Sequence, residues 1–87
     1  MAPIEQKVRE IFSKHFERDE IQFETNPDDR VSGFIISEKF IDMDDFNRQS
    51  HLWNLLRKNM SKSEQAKVIG FIAFTPDEYE AYREPSL

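Results

Sequence analysis

Two histidines, His15 and His51, and several runs of charge are the side chains in this 87-residue sequence whose types suit chemistry. There is no cysteine, which excludes disulfides, thiolate zinc sites, cysteine nucleophiles and a cluster held by the chain's own thiols. Asp42, Asp44 and Asp45 invite a calcium loop, but such a loop needs a glycine at its sixth position and a glutamate at its twelfth. Counted from Asp42, Asn47 and Trp53 stand there, so the aspartates read as helix caps and dipole partners. No serine has a His–Asp arrangement implied by spacing. Gly33 and Gly70 each stand alone in an apolar run, where glycine marks a bulge or close packing rather than a phosphate cradle. A non-enzymatic protein with no metal site and no cofactor is the expectation.

The charge is unevenly spread. The net is −5, yet residues 1–45 carry six basic and twelve acidic side chains, a net of −6. Residues 46–67 hold Arg48, Arg57, Lys58, Lys62 and Lys67 against Glu64 alone, a net of +4. Such polarity steers a partner's approach. Those five cations read either as a phosphate-facing strip for nucleic acid or as a solvated helix face with its cations near the C-terminus. The acidic first half opposes the nucleic-acid reading.

The apolar spacing defines the elements that must hold these groups. Ile4, Val8, Ile11, Phe12 and Phe16 share one face of a first helix, with Pro3 in its first turn. Residues 20–25 alternate polar and apolar as a strand does, and Asn26-Pro27-Asp28-Asp29 is turn chemistry. A second strand covers residues 30–37, with Phe34-Ile35-Ile36 apolar on both faces, as in a sheet interior. Asp42 or Asp44 caps a second helix, in which Phe46, Gln49, Trp53, Leu56 and Met60 form a stripe widened by Leu52 and Leu55. Ser61 and Glu64 are spaced to cap an extra turn. Residues 67–74 form a third strand, parallel to the second because a whole helix separates them. Thr75-Pro76-Asp77-Glu78 opens a last helix, with Tyr79 and Tyr82 toward the sheet and residues 83–87 fraying.

The order α-β-β-α-β-α predicts one α+β domain over residues 1–87, its core at about residues 4–82. A three-stranded mixed sheet of this kind has to be covered by helices. No apolar run reaches the ~18–20 residues of a membrane span, and the opening MAPIEQKVRE has no signal-peptide core. A cytoplasmic protein without a membrane role is expected.

With Ile4-Glu5 and Lys7 opening the first helix, Phe34-Ile35-Ile36-Ser37-Glu38-Lys39-Phe40, Phe46-Asn47-Arg48 and Thr75-Pro76-Asp77-Glu78-Tyr79, the chain resembles the BolA-like family over about residues 4–82. That family's α/β fold is similar to the type II KH fold without its Gly-x-x-Gly loop, and this chain has no such loop either. The resemblance implies a small non-enzymatic adaptor that pairs with monothiol glutaredoxins in iron–sulfur trafficking or iron sensing. It also implies a runner-up, a DNA-binding regulator of the kind described for bacterial members.

At the family's usual ligand positions this chain differs. The second helix usually opens Arg-His-Arg; here Arg48 matches, but Gln49 and Ser50 follow. Lys67 stands where a histidine usually begins the third strand, and the loop after the first strand, often carrying Cys or His, is shortened to Asn26-Pro27-Asp28-Asp29. An amide or an ammonium does not replace imidazole or thiolate on iron, so partner binding without cluster sharing is expected. His51 lies about 200° around the helix from Gln49 and substitutes poorly for the missing ligand; it reads as a surface or partner-contact histidine, and His15 as a structural or surface one. The expected partner surface is the edge of the third strand, the opening of the second helix and the C-terminal segment, with contacts at Arg48, Gln49, His51 and Lys67. The alternative for Arg48 is pairing with Asp44 or Asp45. Trp53 reads as core, its rival reading being an interface anchor.

Overall fold

Helix α1, Ile4–Ser13, buries Ile4, Val8, Ile11 and Phe12, the face that their spacing sets. Phe16, just beyond it, is buried as well. The structure, a computed structural model, describes residues 4–24, 26 and 28–83. The expected roles of Pro3, Thr25 and Pro27, and the fraying of residues 84–87, lie outside the described residues.

A 3₁₀ turn at Arg18–Glu20 leads into β1, Ile21–Glu24, where buried and wet positions alternate. β1 pairs antiparallel with β2, Val31–Ile36. Between them Asp29 takes φ 61°, a left-handed conformation that aspartate tolerates. After β2, Ser37 accepts a hydrogen bond from the Lys39 N–H and starts a 3₁₀ turn at Glu38–Phe40. Helix α2, Asp45–Asn59, is capped by Asp44, whose carboxylate accepts from the Asn47 N–H at 2.8 Å. The short α3, Lys62–Gln65, carries the expected reciprocal cap between Ser61 and Glu64. β3, Val68–Phe74, runs parallel to β2, and α4, Pro76–Arg83, follows it. Thr75 and Glu78 cap α4 reciprocally: the Thr75 N–H donates to Glu78 Oε1 at 2.8 Å and the Glu78 N–H to Thr75 Oγ1 at 3.2 Å.

The fold is the expected small α+β one, a mixed sheet in the order β1-β2-β3 with helices on it. Side chains alternate between faces along a strand, and the two faces are filled differently. On the inner face Val31, Ile35, Val68, Phe71 and Ala73 pack with α1 and with Leu52 and Leu56 of α2. Phe71 meets Phe12 edge-on at 5.1 Å and Phe23 at 5.7 Å. On the outer face Phe34 and Phe74 are covered by Tyr79 and Tyr82 of α4, with ring centroids 5.2–5.9 Å apart. The tyrosines therefore do turn back to the sheet.

Each strand glycine has a separate cause. A Cβ on Gly33 would come within 2.0 Å of the Gln22 carbonyl oxygen, so the close approach of β1 to β2 requires glycine. Gly70 lies at φ 151°, where the register between β2 and β3 slips by one residue; that is a bulge, which shifts the facing of the residues around it.

Two expectations for α2 need correction. Phe46 does not belong to the inward stripe; it is 77% exposed. The buried positions of the helix are Arg48, Leu52 and Leu56, spaced by four, and Met60 continues them. Trp53 is half-buried and packs against the core's edge.

Candidate functional site

Arg48 is the first residue to place, because it was expected to reach a partner. It is 6% exposed and fully engaged. Its Nε donates to the Met43 carbonyl at 2.8 Å, Nη2 to the Phe40 carbonyl at 2.8 Å, and Nη1 to the Ala73 carbonyl at 3.2 Å. Nη1 also meets Glu78 Oε1 at 2.6 Å, so the ion pair is with α4 and not with Asp44 or Asp45. The guanidinium fork suits such convergent acceptors. It ties the loop before α2, the end of β3 and the start of α4 together, and it holds the Glu78 carboxyl below its usual range, hydrogen bonding to Arg48 being the main cause. Arg48 is a structural clamp.

Gln49 does related work one residue on: its side-chain Nε2 donates to the Phe71 carbonyl at 2.7 Å. Two outward carbonyls of the edge strand β3, those of Phe71 and Ala73, are thus occupied by side chains of α2. Lys67 lies 3.7 Å from the Asp29 carboxylate. The five cations do not make one strip. Arg48 is buried near the start of α2 and Lys67 is paired, while Arg57, Lys58 and Lys62 are exposed around the end of α2 and α3. Nine residues of helix put Arg48 about 13 Å along the axis from Arg57.

His51 and His15 do come near one another, because α1 and α2 pack together. The His51 ring stands edge-on to Phe16 at 6.3 Å. Partial burial, then the charges of His15 and Lys39, push its pKa below the ordinary 6.5. Lys39 also donates to the His15 carbonyl and lies 5.1 Å from the Phe16 ring centroid. A lysine ammonium in this field opposes a bound cation, and among the described residues no group of three or more His, Asp or Glu is placed to hold a metal ion.

The edge of the third strand is the expected surface; what sequence reasoning missed is the strip of apolar residues that stand exposed along it. Ile69 is 57% exposed and Ile72 49%; Ile41, 61% exposed, lies by the start of α4, and exposed Phe46 falls on the side of α2 that carries Gln49 and Trp53. Gln49, Trp53, Ile69, Phe71 and Ile72 line a groove of about 530 Å³, which also touches Glu24. A second groove, of about 400 Å³, shares Ile72 and continues past Asp45, Phe74 and Glu78. The signal available for this was Gly70: its bulge changes the alternation, leaving both Ile69 and Ile72 outward.

Comparison with known proteins gives no matching family model, no matching curated protein and no matching solved structure. Among the described residues, no helix is long and apolar enough to cross a membrane.

Proposed function

We propose that this chain is a non-enzymatic, BolA-like interaction module of the cytoplasm that binds a protein partner along the β3 edge and the adjoining side of α2. The observation that carries this reading is that exposed Ile69 and Ile72 share a groove with half-buried Trp53, while exposed Phe46, seven residues before Trp53, falls on the same side of α2. Contiguous apolar side chains left in water mark an interaction surface, and an aromatic anchor among them is the composition of a binding hot spot. The contact set moves from Arg48, Gln49, His51 and Lys67 to this strip, since Arg48 and Gln49 are already bonded within the fold. A monothiol glutaredoxin is the first partner to test, in a role in iron–sulfur or stress regulation that does not require the chain to ligate the cluster.

The experiment is a titration of ¹⁵N-labelled protein with purified monothiol glutaredoxin, read by amide shifts, alongside visible CD of the cluster-loaded form. The expected result is shifts at Phe46, Ile69 and Ile72, abolished by Phe46→Asp, with an unchanged cluster spectrum. A glutaredoxin without effect removes that partner. Binding that bypasses the strip overturns the reading, and a new histidine-ligated signal overturns its cluster-free form.

A further inference from the structure

Resting on that reading, we infer that the occupant of the strip is a cationic amphipathic helix of the partner, with apolar residues on one side and lysine or arginine flanking them. Two observations lead there. The first concerns backbone. An added strand pairs through the edge's own N–H and C=O groups, but the carbonyls of Phe71 and Ala73 already accept from Gln49 and Arg48. A partner therefore docks through side chains. Ile69 and Ile72 are three strand residues apart, about 10 Å, which is the rise of two helical turns. A helix carrying apolar residues at i, i+3 or i+4, and i+7 spans them.

The second observation is charge. Glu24 lines the first groove, Asp45 the second, and Glu38 and Asp77 a third depression beside Ile41 that shares Glu78 with the second. Among the described residues none of these four acids makes an ion pair, and the one cation in the track, Arg48, is buried against Glu78. Apart from the buried, paired Arg48, every charged residue lining the three depressions is thus acidic, beside neutral Asn26, Ser32 and Gln49 in the first. Complementary charge steers and selects the partner, and a second copy of this chain, with the same rim, would meet like charge.

Synthetic amphipathic peptides test this: a leucine–lysine helix, its leucine–glutamate counterpart, and the lysine peptide broken by a central proline. Binding is read by amide shifts of the full chain and by Trp53 fluorescence at low and high salt, with sedimentation to follow self-association. The lysine helix should shift Phe46, Ile69 and Ile72, and should bind about tenfold more weakly to an Asp45→Asn, Asp77→Asn double variant. The glutamate and proline peptides should not bind measurably.

Equal binding of the lysine and glutamate peptides at the strip overturns the cationic assignment and leaves the interaction reading standing. Equal binding of the proline peptide overturns the helix. Self-association through the strip makes a second copy the occupant and overturns the inference, as does a lysine helix that leaves the strip's amides unmoved. Failure of the interaction reading has a different signature: Phe46→Asp then leaves glutaredoxin or other partner binding untouched.

Discussion

Replacing Arg48 by methionine should be among the most damaging single changes in the chain. The methionine keeps an apolar stem of similar length, so the volume loss is small and the effect isolates hydrogen bonding. The Ala73 carbonyl loses its buried donor, at a cost of about 1–3 kcal/mol, whereas the Phe40 carbonyl keeps the Met43 N–H at 3.1 Å and loses one bond of two, about 0.5–1.5 kcal/mol. Glu78, with nearly half of its side chain exposed, rehydrates and adds little. The loss is then about 1.5–4.5 kcal/mol, a large part of the ~4–13 kcal/mol expected for a domain of this length. Urea unfolding, followed by Trp53 fluorescence and far-UV CD, measures it, with an unchanged slope as the check that the denatured state is the same. Arg48→Lys should recover only part, because an ammonium lacks the planar fork. A loss below about 1 kcal/mol for Arg48→Met would refute the clamp.

Other outcomes follow from the same geometry. Gly33→Ala should destabilise by about 3 kcal/mol or more through collision with β1 backbone, whereas Gly70→Ala, with open space but an unfavourable φ, should cost about 1–2 kcal/mol; thermal melting separates them. Phe46→Asp should change stability by no more than about 0.5 kcal/mol, since the ring is mostly in water, while removing partner binding. Stability should also fall with acid in two stages. The folded His51 takes up its proton at lower pH than the unfolded one, so stability drops as pH falls below 6.5. Glu78 and Glu64 are held as carboxylates, mainly by Arg48 and Lys7, so a further drop begins below 4.5. The midpoint of urea unfolding against pH shows both stages, and His51→Gln should flatten only the first.

The parts of this fold legible in the sequence are those with local causes. The stripe of α1 has its full period within thirteen residues, and Ser61–Glu64 and Thr75–Glu78 cap their helices through bonds three residues long. The parallel crossover follows from an apolar strand, a helix and another apolar strand. The inward face of α2 was misread at one end because its innermost first position is an arginine, which hydropathy places in solvent; spacing of four from Leu52 and Leu56 was the better guide. The partner of that arginine, Glu78, lies 30 positions away, beyond any local pattern. The edge itself was legible, but not which of its apolar residues stay in water, because that depends on the Gly70 bulge that shifts their facing.

Val68–Phe74 is seven uncharged residues without proline, the composition of a segment that stacks into fibrils when it is left open. A chain that needs this edge apolar runs the standing hazard of seeding its own precipitation. By filling the carbonyls of Phe71 and Ala73 from the side, Gln49 and Arg48 deny an incoming copy two of the acceptors its ladder would use. Stickiness toward a chosen guest and resistance to amyloid growth are thus separated on one strand, the first carried by its side chains and the second by its main chain.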